Sequence, residues 1–415
     1  ISFSVDLRQG LNRFEIRFED LAERDTQYYF RLDVKENEDF TIALPVGGVE
    51  PQQLLELEQA LEAAYIENEN AIDQEVVLHI ENPLNQDIPV SMRWGNFLDG
   101  EHEKSLVFPA GAKRLVLGHC EELGMGYQYI HLQFSLGQVM LERSFGVETH
   151  LTRYDVPGAE NRSVNERKRA ALRCIAEQGS RNIHTAAAIL HTGGSKAEAE
   201  RILREGIAGI NAREDCSDFY LVGLFRLWKD FYRTDRIDSS LWEEIRRCVV
   251  GFRYWIDEPG DDVMWFFSEN HALLFHVCEL LAGQLFPDER FSNGETGAEH
   301  RRKAEERLTL WFERFFREGL AEWNSNAYIP IDALGLLHLY DLAESAALKQ
   351  SAKQALDLLF YYIAVHAHAG RLMATYGRSY EKELKGHYSA GTTSMCWIAY
   401  GAGNLNAHSL SNVIF

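Results

Sequence analysis

Four consecutive polar residues, Ser268-Glu269-Asn270-His271, interrupt one of the most apolar stretches of the chain, between residues 263–267 and 272–275. A buried polar group without a partner costs about 1–3 kcal/mol, so this block indicates a polar cavity rather than simple core. Ser268 as a helix N-cap and Glu269 near the positive end of the helix dipole explain two of the four residues. A single histidine in an apolar helix is more often a satisfied core residue, but the adjacent asparagine makes Asn270 and His271 the candidate functional pair.

A second polar segment, 321–332, has the composition of a loop that leads into an apolar helix starting near Asp332. Trp323 offers a flat surface for a sugar ring, and Tyr328 can exchange a proton. Loops that lie over rigid helices often carry binding residues, so Glu322 and Asn324 are also candidates. The structural alternative is that Asn324 is an ordinary turn former and Trp323 packs on helix ends.

A third segment, 374–388, concentrates positive charge and tyrosines in an otherwise acidic protein. These residues are Arg378, Lys382, Lys385, His387, Tyr376, Tyr380 and Tyr388. Arg378 can hold a carboxylate through two hydrogen bonds, because its guanidinium is planar. We expect Lys382 and Lys385 to pair with Glu381 and Glu383 on a solvated surface.

Residues 1–154 repeatedly alternate polar and apolar positions, as at 13–18, 28–34, 76–80 and 131–134. Such alternation with short connections is typical of antiparallel strands. We predict an antiparallel β-sandwich domain over 1–154, with one inserted helix at 50–64.

From residue 155 the pattern changes to that of amphipathic helices. The predicted helices cover 163–178, 180–192, 195–210, 217–233, 239–256, 268–285, 297–318, 331–344, 346–368 and 390–402. Charged helices alternate with apolar ones, which favours an α/α toroid of helical hairpins over 155–415. An irregular helical bundle or a solenoid is the alternative. The prediction is therefore an α+β multidomain protein with the β-sandwich before the toroid.

Asn270-His271 opening a helix, with Tyr328 in a loop 57 positions later (328 minus 271), resembles the catalytic layout of polysaccharide lyases with an α/α toroid. The heparinase and alginate lyase families are examples; there an Asn, a His and a Tyr surround the uronic acid being cleaved. The match covers three positions and the general architecture of about residues 160–400. This chain differs because its β-rich part precedes the toroid, and it ends soon after residue 400. A catalytic residue that such lyases sometimes take from a C-terminal β domain would then be absent, or replaced by Tyr380 or Tyr388.

The resemblance implies β-elimination from a uronic-acid-containing glycan. Removal of the C5 proton places negative charge on the carboxyl group, which Asn270 and Arg378 are suited to stabilise. His271 and Tyr328 would divide the roles of base and acid, and the sequence leaves the order open. Tyr380 is a further catalytic candidate. The candidates for substrate binding are Trp265, Glu269, Glu322, Trp323, Asn324, His387 and Tyr388.

Two other functions remain open at this point. A glycoside hydrolase on the same toroid would use two carboxylates, for which Glu269 and Glu322 are the natural candidates and Asp261 and Asp262 the next. A noncatalytic carbohydrate-binding protein would use the same aromatic residues only to bind. A lyase product carries a new C4–C5 double bond that absorbs in the ultraviolet, and a hydrolase product does not.

The charge balance narrows the possible partners. Lys and Arg total 42 against 63 acidic residues, a net charge of -21, which argues against binding to nucleic acid or to an anionic membrane. An acidic polysaccharide or oligosaccharide would need a locally basic pocket. No apolar run reaches the roughly 20 residues that span a bilayer. We expect a soluble protein, either secreted with its signal removed or cytoplasmic, and the oligomeric state stays open.

The six cysteines are scattered without a CxxC pair, so we expect mostly free, buried thiols. No cofactor is indicated by a motif. A structural Ca²⁺ held by carboxylates would leave no sequence signal of this kind.

Overall fold

Among the described residues, strands predominate before residue 151 and helices predominate after it. The computed structural model describes residues 6, 8, 10, 48–96, 100–386 and 388–407, and the described strands and helices belong to one unit, Val46–Phe415. The strands predicted at 13–18 and 28–34 lie outside the described residues. The chain is thus a mixed α+β protein with a helical C-terminal region.

Eight strands and two helices make up the described β-rich part. They are α1 (Pro51–Glu62), β1 (Tyr65–Ile66), β2 (Asn70–Ile72), β3 (Glu75–His79), β4 (Ile88–Asn96), β5 (Gly100–Phe108), β6 (Arg114–His119), α2 (Cys120–Leu123), β7 (Gly126–Leu136) and β8 (Val139–His150). The predicted helix at 50–64 and the predicted strands at 76–80 and 131–134 are confirmed. Proline at the first turn suits the start of α1, because that position needs no amide hydrogen.

The strands form a five-stranded sheet in the order β2-β8-β7-β4-β5 and a three-stranded sheet in the order β1-β3-β6. All of these pairs are antiparallel except β2 with β8, which is parallel. The expectation of purely antiparallel pairing is wrong for this pair. The long intervening chain allows it, because parallel strands need a long connection rather than a tight turn.

The helices that follow are α3 (Val164–Gln178), α4 (Ile183–His191), α5 (Lys196–Asn211), α6 (Ser217–Phe231), α7 (Ser239–Gly251), α8 (Glu269–Leu285), α9 (Gly297–Glu318), α10 (Ile329–Leu342), α11 (Ala346–His366), α12 (Glu381–Lys385) and α13 (Gly391–Tyr400). A two-stranded hairpin, β9 (Ala367–His368) and β10 (Arg371–Leu372), separates α11 from α12. The ten predicted helices are confirmed, with α7 ending at Gly251 rather than at residue 256. The short α12 was not predicted.

The helices pack in two sets. Alternate helices contact each other in the succession α4, α6, α8, α10 and α13, and their residues are mostly buried. The more exposed helices α3, α5, α9 and α11 pack against them, α7 packs against α5 and meets α6 through the Trp242 ring, and α13 also contacts α3. The helical residues share one hydrophobic core, and a second core lies between α1 and the two sheets.

Two predictions about the chain as a whole can be compared with the described residues. None of their helices combines the length and the apolar character that a bilayer crossing requires. All six cysteines are free, and five of them are buried. The expectation of free, mostly buried thiols is confirmed.

Candidate functional site

The first turn of α8 directs its acidic residue toward the loop that precedes α10. Glu269 accepts hydrogen bonds from the backbone amides of Ala321 (3.1 Å) and Glu322 (3.0 Å). Ser268 occupies the N-cap position, but its hydroxyl makes no capping hydrogen bond and is buried without a partner. The expectation that Ser268 caps through its side chain is therefore wrong. Both oxygens of Glu269 thus hold the backbone beside Glu322, a structural role that differs from the expected part in substrate binding.

Glu322 lies at the centre of the candidate site. Its Oε2 accepts a hydrogen bond from Asn270 Nδ2 (2.7 Å), and its Oε1 accepts one from Arg378 Nη1 (2.8 Å). The Glu322 residue is only 9% exposed. This one carboxylate therefore brings together residues from all three segments that the sequence singled out.

Arg378 also organises two tyrosines. Its Nη2 donates to the hydroxyl of Tyr380 (2.8 Å), and its guanidinium carbon lies 4.5 Å from the centre of the Tyr328 ring. The hydroxyls of Tyr328 and Tyr380 hydrogen-bond to each other. Burial, followed by the contact with Tyr380, raises the pKa of Tyr328, and Arg378 only partly opposes this. Tyr328 thus keeps its proton at neutral pH.

His271 is paired with an aspartate that was not a candidate. Asp218, fully buried in the first turn of α6, lies 2.9 and 3.0 Å from Nδ1 of His271 through its two oxygens. The ring of Phe219 stacks on His271 with a centroid distance of 4.6 Å. Burial alone would lower the pKa of His271, but the charge and hydrogen bond of Asp218 outweigh it, so this pKa lies above 6.5. With Nδ1 engaged, Nε2 is the ring nitrogen left for a substrate.

Two loops are joined beside this cluster. The amide of Gly377 donates to the backbone oxygen of Trp323 (2.8 Å), and Asn324 Nδ2 donates to the oxygen of Thr375 (3.4 Å). A Cβ at Gly377 would come within 2.6 Å of the Trp323 ring, so only glycine allows this close approach. The Trp323 residue is 52% exposed. Asn324 is engaged in joining the loops.

Two buried polar groups near Glu322 have no hydrogen-bond partner among the described residues. They are Oδ1 of Asn270 and both carboxylate oxygens of Asp332. Both residues are 0% exposed. Burial, and then the nearby charges of Glu269 and Glu322, raise the pKa of Asp332 well above its ordinary value. This shift favours the protonated form of Asp332, and the Asn270 oxygen is a hydrogen-bond acceptor that no described group uses.

Other candidates are not brought into this cluster. The Tyr388 ring stacks on His150 of β8 at 3.9 Å, so its expected role in substrate binding is not supported. His387 lies outside the described residues. Trp265 has a positive φ of 51°, and its ring packs edge-on against that of Phe267, with 5.9 Å between the ring centroids. As expected, Lys385 pairs with Glu381 and Lys382 with Glu383, while Lys385 also reaches Glu69.

Asp218 and Asp332 are the residues that sequence reasoning missed. Each is a single acidic residue in the first turn of an otherwise apolar helix. Acidic residues are common at this position because the helix dipole favours them, so they carry no special signal. The signal that could have found them is the mostly apolar run that follows each aspartate, as from Phe219 to Leu224 after Asp218.

Two groups of side chains have the composition of metal sites among the described residues. They are Asp215 with Cys216 and His271, and Glu258 with Glu279 and His300; in each group the ligand atoms lie within 4.8 Å of one another. The first group shares His271 with the Asp218 pair. The second is separate from the cluster around Glu322.

Comparison of the chain with protein-family models and with curated protein sequences gives no match. The site offers a histidine backed by a buried carboxylate, a tyrosine that keeps its proton, and an arginine whose guanidinium lies over that tyrosine. This combination can remove one proton, deliver another and bind an anion.

Proposed function

We propose that this protein is a polysaccharide lyase that cleaves a uronic-acid-containing glycan by β-elimination. The observation that carries the proposal is the convergence of Asn270 and Arg378 on Glu322, with Tyr380 bound to Arg378 and Tyr328 bound to Tyr380. His271 follows Asn270 directly, and the charge of Glu322 acts on its pKa. Base, acid and anion-binding groups thus belong to one local cluster.

His271 is the better base. The hydrogen bond from Nδ1 to Asp218 orients the ring and stabilises the imidazolium that forms when Nε2 takes the C5 proton. Its side chain is 8% exposed, which shields the ring from bulk water.

Tyr328 is the better acid. Its raised pKa means that it holds a proton at neutral pH and can pass it to the leaving glycosidic oxygen. Arg378, whose charged group lies over the Tyr328 ring, would stabilise the phenolate that results. Tyr380 can then return a proton through its hydrogen bond to Tyr328.

Arg378 is the group that we assign to the substrate carboxylate. A guanidinium has five N–H donors, and the contacts with Glu322 and Tyr380 use only two of them. The side chain is 43% exposed, so the remaining donors can reach a ligand. Asn270 takes a different role from the expected one: its amide nitrogen serves Glu322, and its free oxygen suits a sugar hydroxyl.

We also propose that the helices form an α/α toroid and that the strands form a β-sandwich. The succession α4, α6, α8, α10 and α13, with the more exposed helices packed around it and α13 meeting α3, supports an α/α toroid. The core shared by the two sheets supports a β-sandwich. In a toroid, the first turns of α6, α8 and α10 would open toward the same end.

The hydrolase alternative is weakened by Glu269. A general acid or nucleophile needs a free carboxyl, whereas both oxygens of Glu269 accept backbone hydrogen bonds. Asp262 is held by Arg213 (2.9 Å) and Arg253 (3.2 Å). Of the carboxylates named for that mechanism, Asp261 would then remain as the partner of Glu322, and it is exposed to solvent.

The test is incubation of the protein with a panel of uronate polymers and oligomers, followed by ultraviolet absorbance and by an assay of reducing ends. We expect both signals to rise together. His271→Gln and Tyr328→Phe should each lower the rate at least about a hundredfold, the lower range for loss of general acid–base catalysis. Tyr361→Phe is the matched control, because Tyr361 is 61% exposed on α11.

Each other outcome points to a different function. Reducing ends without ultraviolet absorbance would identify a hydrolase. Binding of the glycans without turnover, weakened by the same two substitutions, would identify a noncatalytic binding protein. A full rate in either variant would remove that residue from the mechanism.

A further inference from the structure

A second buried polar cluster lies between α8, α9 and the segment after α7. It consists of Glu279, His300 and Glu258, which are 0%, 0% and 7% exposed. One ligand atom from each residue lies within 4.8 Å of those from the other two. Glu279 follows His271 by eight positions on α8 (279 minus 271), or about 12 Å along a helix axis, so the cluster is distinct from the site around Glu322.

The proton on His300 can be located from its neighbours. Oδ1 of Asn293 accepts from the backbone amide of Glu295 (3.0 Å), and Nδ2 of Asn293 donates to the Glu295 carboxylate (2.8 Å). These two contacts fix which atom of the Asn293 amide is oxygen. Nε2 of His300 lies 3.1 Å from that oxygen and must therefore donate a proton to it. Nδ1 is then the ring nitrogen that faces Oε1 of Glu279, at 2.9 Å.

Each carboxylate of the cluster is likewise held from outside by one of its oxygens. Oε2 of Glu279 accepts from Arg307 (2.9 Å), and Oε1 of Glu258 accepts from the amide of Tyr254 (3.1 Å). Oε2 of Glu258 is buried and has no partner among the described residues. Ligands in metal sites show this arrangement, in which outer hydrogen bonds orient each ligand and leave one atom for the metal.

We propose that Glu258, Glu279 and His300 bind a divalent cation with the preferences of Zn²⁺. One imidazole nitrogen and two carboxylate oxygens are ligands that zinc accepts, and a water molecule would complete four-fold coordination. The bound cation would connect α8, α9 and the segment after α7. It would thereby hold the helix whose first turn carries Asn270 and His271.

Protonation of these side chains, without a cation, leaves one of their buried polar atoms without a partner. A doubly protonated His300 would pair with Glu279 but would leave Oε2 of Glu258 without a partner. A cation satisfies all three inward atoms at once.

The experiment uses the whole purified chain and does not depend on enzymatic activity. The protein is stripped with a chelator, dialysed, and titrated with Zn²⁺ in competition with a chromophoric zinc indicator, with bound metal counted by mass spectrometry. We expect one zinc per chain and a higher melting temperature on binding. Glu258→Gln should weaken zinc binding by about tenfold to a hundredfold or more, because loss of a group that only supports a metal ligand already costs that much.

Cys216→Ser is the control, because Cys216 belongs to the other metal-like group, and this variant should bind zinc as the unchanged protein does. Absence of stoichiometric binding, or equal affinity in Glu258→Gln, would overturn the proposal. Co²⁺ added to the unchanged protein decides the matter even if Glu258→Gln fails to fold. A thiolate-to-cobalt charge-transfer band would place the metal at Cys216 and overturn the proposal, whereas a spectrum of nitrogen and oxygen ligands would support it.

Discussion

The Asp218–His271 pair provides the sharpest test of the site, and the test needs no substrate. Asp218→Asn keeps the shape of the side chain and one acceptor for Nδ1–H but removes the charge. A hydrogen bond to a charged group contributes about 1.5–3 kcal/mol and a neutral one about 0.5–1.5 kcal/mol. Because both Asp218 oxygens lie within 3.0 Å of His271 Nδ1 in a fully buried setting, we expect the variant to lose about 1–2 kcal/mol of unfolding free energy.

The loss should depend on pH in a defined direction. Burial opposes protonation of His271, but Asp218 outweighs it, so the pKa of the folded state lies above the ordinary 6.5. A group whose folded pKa is raised adds stability that is fully present below its unfolded pKa and is lost as pH rises through the folded pKa. The difference between the two proteins should therefore be largest near pH 6 and shrink toward pH 9.

The measurement is urea unfolding of both proteins across that pH range. Asp230→Asn is the matched control, because Asp230 pairs with His191 at 3.1 Å in a setting where the two side chains are 23% and 30% exposed. Such an exposed pair should contribute less than about 1 kcal/mol. A difference for Asp218→Asn that stays constant with pH, or that equals the control, would refute the assignment of a buried charged pair.

Three further predictions concern the same site. The rate of glycan cleavage should increase with pH through a value above 6.5, because His271 acts as a neutral base, and Asp218→Asn should move this increase to lower pH in a pH–rate profile. Glu269→Ala should lower the unfolding free energy measured with urea by about 1–3 kcal/mol, because two backbone amides lose their acceptor. Glu269→Gln should restore part of that free energy, and equal stabilities of the two variants would contradict the prediction. Gly377→Ala should lower the unfolding free energy by about 1–3 kcal/mol, since the new Cβ would lie 2.6 Å from the Trp323 ring, and an unchanged melting temperature would show that the two loops are not joined as described.

The helices were predictable because several signals agree at their ends. Capping boxes mark the starts of two helices, where the apolar periodicity begins. They are Ser163 with Glu166 at α3 and Thr296 with Glu299 at α9. The end of α7 was missed, because the apolar pattern continues beyond Gly251 while the backbone turns to an extended form at Phe252. The parallel pairing of β2 with β8 depends on contacts distant in sequence, which no local pattern contains.

The candidate site was predictable only where polarity conflicts with its surroundings. Asn270 in an apolar stretch and Arg378 in an acidic protein stand out, and both contact Glu322. The sequence could not reveal that Glu269 accepts hydrogen bonds from backbone amides, because a glutamate that binds a ligand and one that binds an amide have the same sequence signal. It could not reveal the partner of His271 either, since Asp218 is brought to it only by the packing of α6 against α8.

The segment that carries Arg378 is held by the β-rich part. Oε1 of Glu148, on β8, accepts hydrogen bonds from the amides of Tyr388 (2.8 Å) and Ser389 (2.6 Å) and from the Ser389 hydroxyl (2.6 Å). Lys385 adds an ion pair with Glu69 at 2.8 Å. Glu148 is only 1% exposed, so these charge-assisted bonds form out of contact with water, where they are strong.

This anchoring explains how an exposed arginine can be placed with precision. Arg378 lies between Glu322 on one side and the tyrosines on the other, and its own segment has few buried apolar residues to hold it. A shift of the anchor at Glu148 would move the guanidinium away from Glu322 and leave that carboxylate to repel an anionic substrate. The change from strands to helices near residue 155 therefore separates the two hydrophobic cores, but it does not separate the groups on which the site depends.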